Sequence, residues 1–105
     1  MPYRTKAKAR VLAALFFEPA QELCGSHIAA LAQTATGTIY PILAKYEADG
    51  WVESRWEAVD PSEAGRPRRR LYRLTGTGRQ VATLELVEFE RRWPTLPLLP
   101  GLGAA

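Results

Sequence analysis

Apolar residues recur along this chain with two periods, and the changes of period divide it into elements. From Lys6 to Phe17, Val11, Leu12, Leu15 and Phe16 fall at helical spacing, and Pro19 marks the end of that helix. Glu18 to Leu23 reads as a connector. A second helix opens at Gly25 or Ser26, turns Ile28, Leu31 and Ala32 inward, and ends in the turn Thr34-Ala35-Thr36-Gly37. A third runs from about Thr36 to Asp49. Its Ile39, Leu43 and Tyr46, spaced by four and three, form one buried stripe, while Thr38, Lys45 and Asp49 occupy the opposite face. Pro41 sits near the first turn, where backbone N–H groups have few partners within the helix, and Gly50 stops the helix as a left-handed cap.

Beyond Gly50 the period changes to two. Val52 to Glu57 and Arg69 to Leu74 both alternate as half-buried strands do, with Arg70, Tyr72 and Leu74 on one face of the second. Ala58 to Arg68 is rich in Pro, Gly, Ser and charge, too long for a tight turn, and reads as an extended, mobile hairpin loop. Thr75-Gly76-Thr77-Gly78 opens a last helix that runs to Trp93, with Pro94 after it. Helix, turn, helix and basic hairpin in this order predict a mainly α fold with a small β-hairpin: a winged helix-turn-helix over residues 1–75. A C-terminal dimerisation helix over 76–94 and a flexible tail over 95–105 follow. The last helix carries two apolar stripes, Ala82, Leu86, Phe89 and Trp93 on one side and Val81, Leu84 and Val87 roughly opposite. One small core needs a single stripe, so the second predicts a partner chain and a two-fold homodimer. Val81, Leu84, Leu86, Val87, Phe89 and Trp93 are the candidate dimerisation residues.

Composition adds bounds. A chain of 105 residues, 47% hydrophobic, can bury one modest core. Lys+Arg 14 against Asp+Glu 11 leaves only +3, so the position of charge says more than its sum. Arg66, Arg68, Arg69, Arg70 and Arg73 lie together without an acid among them, and Arg4, Lys6, Lys8 and Arg10 form a second basic run, while acids gather at 47–63 and 85–90. An arginine run of this kind repels itself unless an anion is present, which predicts a phosphate-binding hairpin. The single cysteine, Cys24, excludes an intramolecular disulfide and a cysteine-based zinc cluster, and reads as a packing thiol. His27 has no second ligand at metal spacing and reads as a surface residue. No apolar run is long enough to span a bilayer and no secretory segment opens the chain, so a soluble cytoplasmic protein without membrane association is expected. One histidine without a nucleophile context, and no glycine-rich phosphate loop, weigh against an enzyme, a metal or a cofactor.

The DNA chemistry falls on two segments. Thr36, Gly37 and Thr38 are short residues at a helix N-terminus, where the backbone can approach a phosphate. Tyr40 and Thr38 add hydroxyls, and Lys45 projects from the same helix. With no Arg, Asn or Gln on that face, specificity is expected from thymine methyl contacts or DNA shape. Arg66, Arg68, Arg69 and Arg70 supply the wing.

Gly37-Thr38-Ile39-Tyr40-Pro41, Glu47-Ala48-Asp49-Gly50-Trp51-Val52, Gly65-Arg66-Pro67-Arg68-Arg69 and Tyr72-Arg73-Leu74-Thr75-Gly76-Thr77-Gly78-Arg79 together resemble the PadR family of bacterial transcriptional regulators, over about Val11 to Arg79. The resemblance implies a repressor that binds an inverted repeat in double-stranded DNA as a homodimer, with the third helix in the major groove and the last helix dimerising. It also implies room for a planar aromatic effector at the dimer centre, for which Phe89 and Trp93 are the candidates. Two departures stand out. Ala35-Thr36 replaces the usual Ser-Pro, so the third helix needs its cap from Thr36 or Thr34, and Ser26 stands where an aromatic commonly follows the opening glycine of the second helix. The alternative from another class is a winged helix that binds protein, as an accessory or antagonist; an exposed apolar patch on the third helix would favour it.

Overall fold

The computed structural model describes residues 2–18 and 22–101, with side chains from Lys6 onward. The Pro19 stop and the side chain of Arg4 therefore lie outside the described residues. Helix α1 spans Pro2–Phe17 and starts earlier than its apolar spacing indicates, because proline is tolerated in a first turn and the Lys, Ala and Arg residues that follow form helix well. Helix α2 is Gly25–Ala32 and α3 is Thr36–Ala48. Between them Gln33 takes the left-handed conformation (φ 52°) and the Thr34 N–H donates to the Ala29 carbonyl at 3.0 Å, which closes the helix-turn-helix. Strands β2 (Val52–Trp56) and β3 (Arg70–Leu74) form the hairpin, and α5 is Gly76–Arg92.

Two elements depart from the sequence reading. Leu23–Cys24, read as connector, is a short strand β1 that pairs antiparallel with β3, so the sheet has three strands in the order β1-β3-β2. The hairpin loop contains a four-residue helix, α4 (Pro61–Ala64), capped by the Asp60 carboxylate, which accepts from the Ser62 N–H at 2.9 Å, and closed by left-handed Gly65. The loop is thus built by its own hydrogen bonds rather than simply extended.

The core lies where α1 crosses α2, α3 and the sheet. Val11, Leu12, Leu15, Ile28, Ile39 and Leu43 are fully buried, and the predicted stripe of α3 gains Ile42 as a fourth inward residue. Tyr46 is buried too; its hydroxyl donates to the Lys8 carbonyl at 3.1 Å, and burial pushes its pKa well above the ordinary 10. Thr75 ties the sheet to α5: its hydroxyl donates to the Gly50 carbonyl (2.7 Å) and accepts from the Gly78 N–H (3.0 Å).

Helix α5 packs one stripe on α1. Ala82 and Phe89 are buried within the chain itself, and Leu86 and Trp93 are half-buried. Phe89 therefore belongs to the intramolecular core, while Leu84 and Val87 on the other side are 72% and 62% exposed. Val81 packs partly on the core. The segment read as a flexible tail is held as far as it is described: Leu99 packs on the core, the Arg10 guanidinium donates to the Pro97 carbonyl (3.1 Å), and the Gly101 N–H donates to the Leu31 carbonyl of α2 (2.8 Å).

Candidate nucleic-acid interface

Helix α3 and the hairpin meet across an open cleft of about 630 Å³ lined by Cys24, Ser26, Tyr40, Trp56, Arg66–Arg70 and Tyr72. Its position follows from the topology. Because β3 is the middle strand, β1 brings the start of α2 against one side of it and β2 brings the wing against the other. Tyr40 and all four predicted wing arginines share this cleft; Thr36, Gly37, Thr38 and Lys45 lie on α3 outside its lining. Thr36 and Gly37 are exposed and Thr38 is half-buried. A Cβ on Gly37 would touch nothing within 4 Å and its φ is not positive, so nothing in the fold itself calls for glycine there. The expected threonine cap is absent: Ala35 stands at the N-cap without a side-chain bond, and the Thr34 hydroxyl donates back to the Ala32 carbonyl at 3.1 Å.

The arginines are not the self-repelling run that linear spacing suggests. Acids distant in sequence return to them across the sheet. Arg66 is ion-paired with Glu57, whose carboxylate also accepts the Arg69 backbone N–H (2.9 Å), and Arg73 is paired with Glu53. Arg70 donates to the Ser54 hydroxyl (3.0 Å), lies 4.0 Å from Glu47 of α3, and covers the Trp56 ring at 5.1 Å. Arg68 donates to the Val59 carbonyl at 2.8 Å. The pairing with Arg66 holds the Glu57 carboxyl below its ordinary range and raises Arg66. Self-repulsion therefore does not argue for phosphate; exposure does. Arg68 and Arg69 present their charge to solvent, and no acid is paired with either side chain among the described residues. On α3, Lys45 is exposed but shares its charge with Asp49 at 3.1 Å.

The second basic run serves another part of the molecule. Lys6 lies over the Trp93 ring (5.3 Å) and Arg10 over Phe89 (5.8 Å), while Arg92 also covers Trp93 (5.1 Å). The Phe89 and Trp93 rings touch each other at 5.1 Å, so the candidate effector residues pack together under three cations.

Five cleft residues, Cys24, Ser26, Trp56, Pro67 and Tyr72, escaped the sequence reading as site residues. Trp56, 59% exposed, forms one wall; the signal for it was its place on the Val52-Ser54-Trp56 face beside a basic loop. Tyr72 lies beneath, 8% exposed. Cys24 sits with its Sγ 3.3 Å from the Ser26 hydroxyl. Burial pushes its thiol up, but the Ser26 and His27 hydrogen bonds and the nearby Arg69 charge leave it net below its ordinary value. Cys24 is not reached by periodicity, because a two-residue strand has none, and Ser26 is an exposed polar residue in the first turn of α2, off its apolar stripe.

Among the described residues no group of three or more His, Cys, Asp or Glu could hold a metal ion, and no helix is long and apolar enough to cross a membrane.

Comparison with known proteins places this geometry. The profile of the "Transcriptional regulator PadR-like family" matches residues 21–84, from before β1 into α5. Among solved structures, a PadR family transcription regulator from Clostridium difficile R20291 is 19% identical with a TM-score of 0.66, over 84% of this chain and 91% of that one. MepR, a transcription regulator of the Staphylococcus aureus multidrug efflux pump MepA, is 20% identical with a TM-score of 0.62, over 85% of this chain and 60% of that one. Lactococcus lactis ZitR is 18% identical with a TM-score of 0.64, over 90% and 64%. The chain thus spans under two thirds of the length of MepR and ZitR. At these identities the likeness is one of fold. No curated protein matches the sequence.

Proposed function

Since the chain belongs to the PadR-like family of transcriptional regulators, we propose that it binds double-stranded DNA as a homodimeric repressor, with α3 in the major groove and the wing arginines on phosphate. The observation that carries this is the cleft, which joins Tyr40 of α3 to Arg66, Arg68, Arg69 and Arg70 on one concave face. Gly37 supports it, because a glycine that the fold does not require lets a ligand approach the backbone at the start of α3. Base readout would fall to Thr38, Tyr40 and Ala44, whose apolar surfaces suit thymine methyls, with Lys45 released from Asp49 on binding. Tyr40, Pro41, Ala44 and Ala48 are exposed on α3, and of these only Tyr40 is a large hydrophobic; the arginines that share its cleft rank DNA above a protein partner. A dimer joined through Leu84 and Val87 would read an inverted repeat with half-site centres about one helical turn apart. If an aromatic effector acts at Phe89 and Trp93, the three cations around those rings favour an anionic one over a planar cation.

The test is selection of bound duplexes from a random pool, followed by binding across a salt series. A two-fold repeat should be enriched. Arg69→Ala should weaken binding to all duplexes alike and lower the slope of log K against log salt by about one. An unenriched pool, or a wild-type affinity indifferent to salt, would reject this reading.

A further inference from the structure

Gly25, the first residue of α2, is buried and has no positive φ, so backbone conformation does not explain a glycine there. Space does. A Cβ at this position would stand 2.5 Å from Cε1, 2.6 Å from Cζ and 2.6 Å from the hydroxyl oxygen of Tyr40, far inside van der Waals contact. The outer edge of the Tyr40 ring thus lies across the bare backbone of residue 25, while Tyr40 as a whole is 46% exposed and lines the cleft beside the wing arginines. An exposed tyrosine on a helix surface would otherwise sample several rotamers. Here one is seated.

We infer that Gly25 is a positioning residue for DNA recognition: it forms the seat that holds Tyr40 back against α2, so that the phenol borders the cleft rather than filling it. This rests on the DNA reading proposed above. Any side chain at position 25 drives the ring off this seat, and the cleft that the ring borders is the space the duplex would enter. The colliding atoms are the free end of an exposed side chain and not backbone, so the ring can yield without disturbing the core. Alanine also favours helix over glycine, so α2 itself should tolerate the change. Gly25→Ala is therefore expected to alter binding while sparing the fold.

The experiment is a double-mutant cycle with a labelled duplex enriched by the wild-type protein, using Gly25→Ala, Tyr40→Ala and the combined variant, with unfolding midpoints measured for all four proteins. Gly25→Ala should weaken binding about tenfold in the wild-type background and less than about twofold in the Tyr40→Ala background, with its midpoint unchanged. Equal affinity of Gly25→Ala and wild type would overturn the inference, as would an equal loss in both backgrounds. A lowered midpoint in both backgrounds would overturn it as well, since α2 packing and not Tyr40 would then be disturbed. If the wild type enriches no duplex, the DNA reading itself fails and this inference falls with it, an outcome distinct from a wild-type duplex that Gly25→Ala binds equally well.

Discussion

At the scale of single residues, identical substitutions have opposite outcomes because the space around each Cα differs. Gly37 faces open space, whereas a Cβ on buried Gly78 would run into the Trp51 carbonyl, where α5 crosses the end of the α3–β2 turn. Backbone cannot swing aside as a side chain can. Gly37→Ala should leave the urea midpoint within experimental scatter, and Gly78→Ala should cost about 1–3 kcal/mol, as overpacking of a tight site does. Equal midpoints for the two variants in urea denaturation would show that α5 can move away from Trp51. Sequence carried the first of these two glycines as a candidate DNA contact, but gave no sign of the second beyond its place in Thr75-Gly76-Thr77-Gly78. The approach of α5 to Trp51 is made by the fold, over a separation that no local pattern reports.

At the scale of elements, the wing shows both what a sequence discloses and what it hides. The two hairpin strands were legible from their period, within a residue at each boundary, and the three helices of the body from theirs, although α1 begins four residues before its apolar spacing and β1 has no period to read. The short helix α4 was also written locally: Asp60 at the N-cap, Pro61 first in the helix, Glu63 in the first turn and Gly65 at its end form a complete set of start and stop signals. Read by composition, those same Pro, Ser and Gly residues suggest only a loop. The counter-charges of the arginines could not be read at all, because Glu47, Glu53 and Glu57 approach them only once β2 and β3 are in register. Glu57 joins Arg66 to the Arg69 backbone and so fastens the base of the loop. Its pKa is depressed in the folded protein, so its contribution to loop order is present above the ordinary value of 4.5 and is lost as pH falls through the lower folded value. Hydrogen exchange at Arg69 should therefore be protected at neutral pH and rise, beyond the intrinsic pH trend, only below that ordinary range. Glu57→Gln should remove this pH dependence; a wild-type loop whose protection already falls between pH 7 and 5 would contradict the assignment to Glu57.

At the scale of the whole molecule, α5 turns one apolar face to its own chain and leaves the other to solvent, where the proposed dimer would form. The two stripes were correctly anticipated as two faces, but periodicity assigns no face to a particular neighbour. Phe89 is 3% exposed in the isolated chain, whereas Leu84 and Val87 stand 72% and 62% exposed. A charge on each face should thus separate the two roles. Leu84→Glu is expected to give a folded monomer with an unchanged circular dichroism spectrum, and Phe89→Glu a chain that loses cooperative unfolding, since a carboxylate buried without a partner is strongly unfavourable. Sedimentation equilibrium at tens of micromolar distinguishes these outcomes, and a Leu84→Glu protein that sediments as the wild type would remove Leu84 from the interface. The strand order β1-β3-β2 has a consequence in time as well as in space. Leu23 pairs with Tyr72, 49 positions later, so β1 cannot be placed until nearly the whole wing has been made. During synthesis, α1, α2 and α3 leave the ribosome long before that strand can close, and the late, non-local pairing makes sheet closure the slow step expected of high contact order. The face that carries Tyr40 and the arginines is then completed late, and a nascent chain truncated before β3 would have α1, α2 and α3 but neither the cleft nor α5.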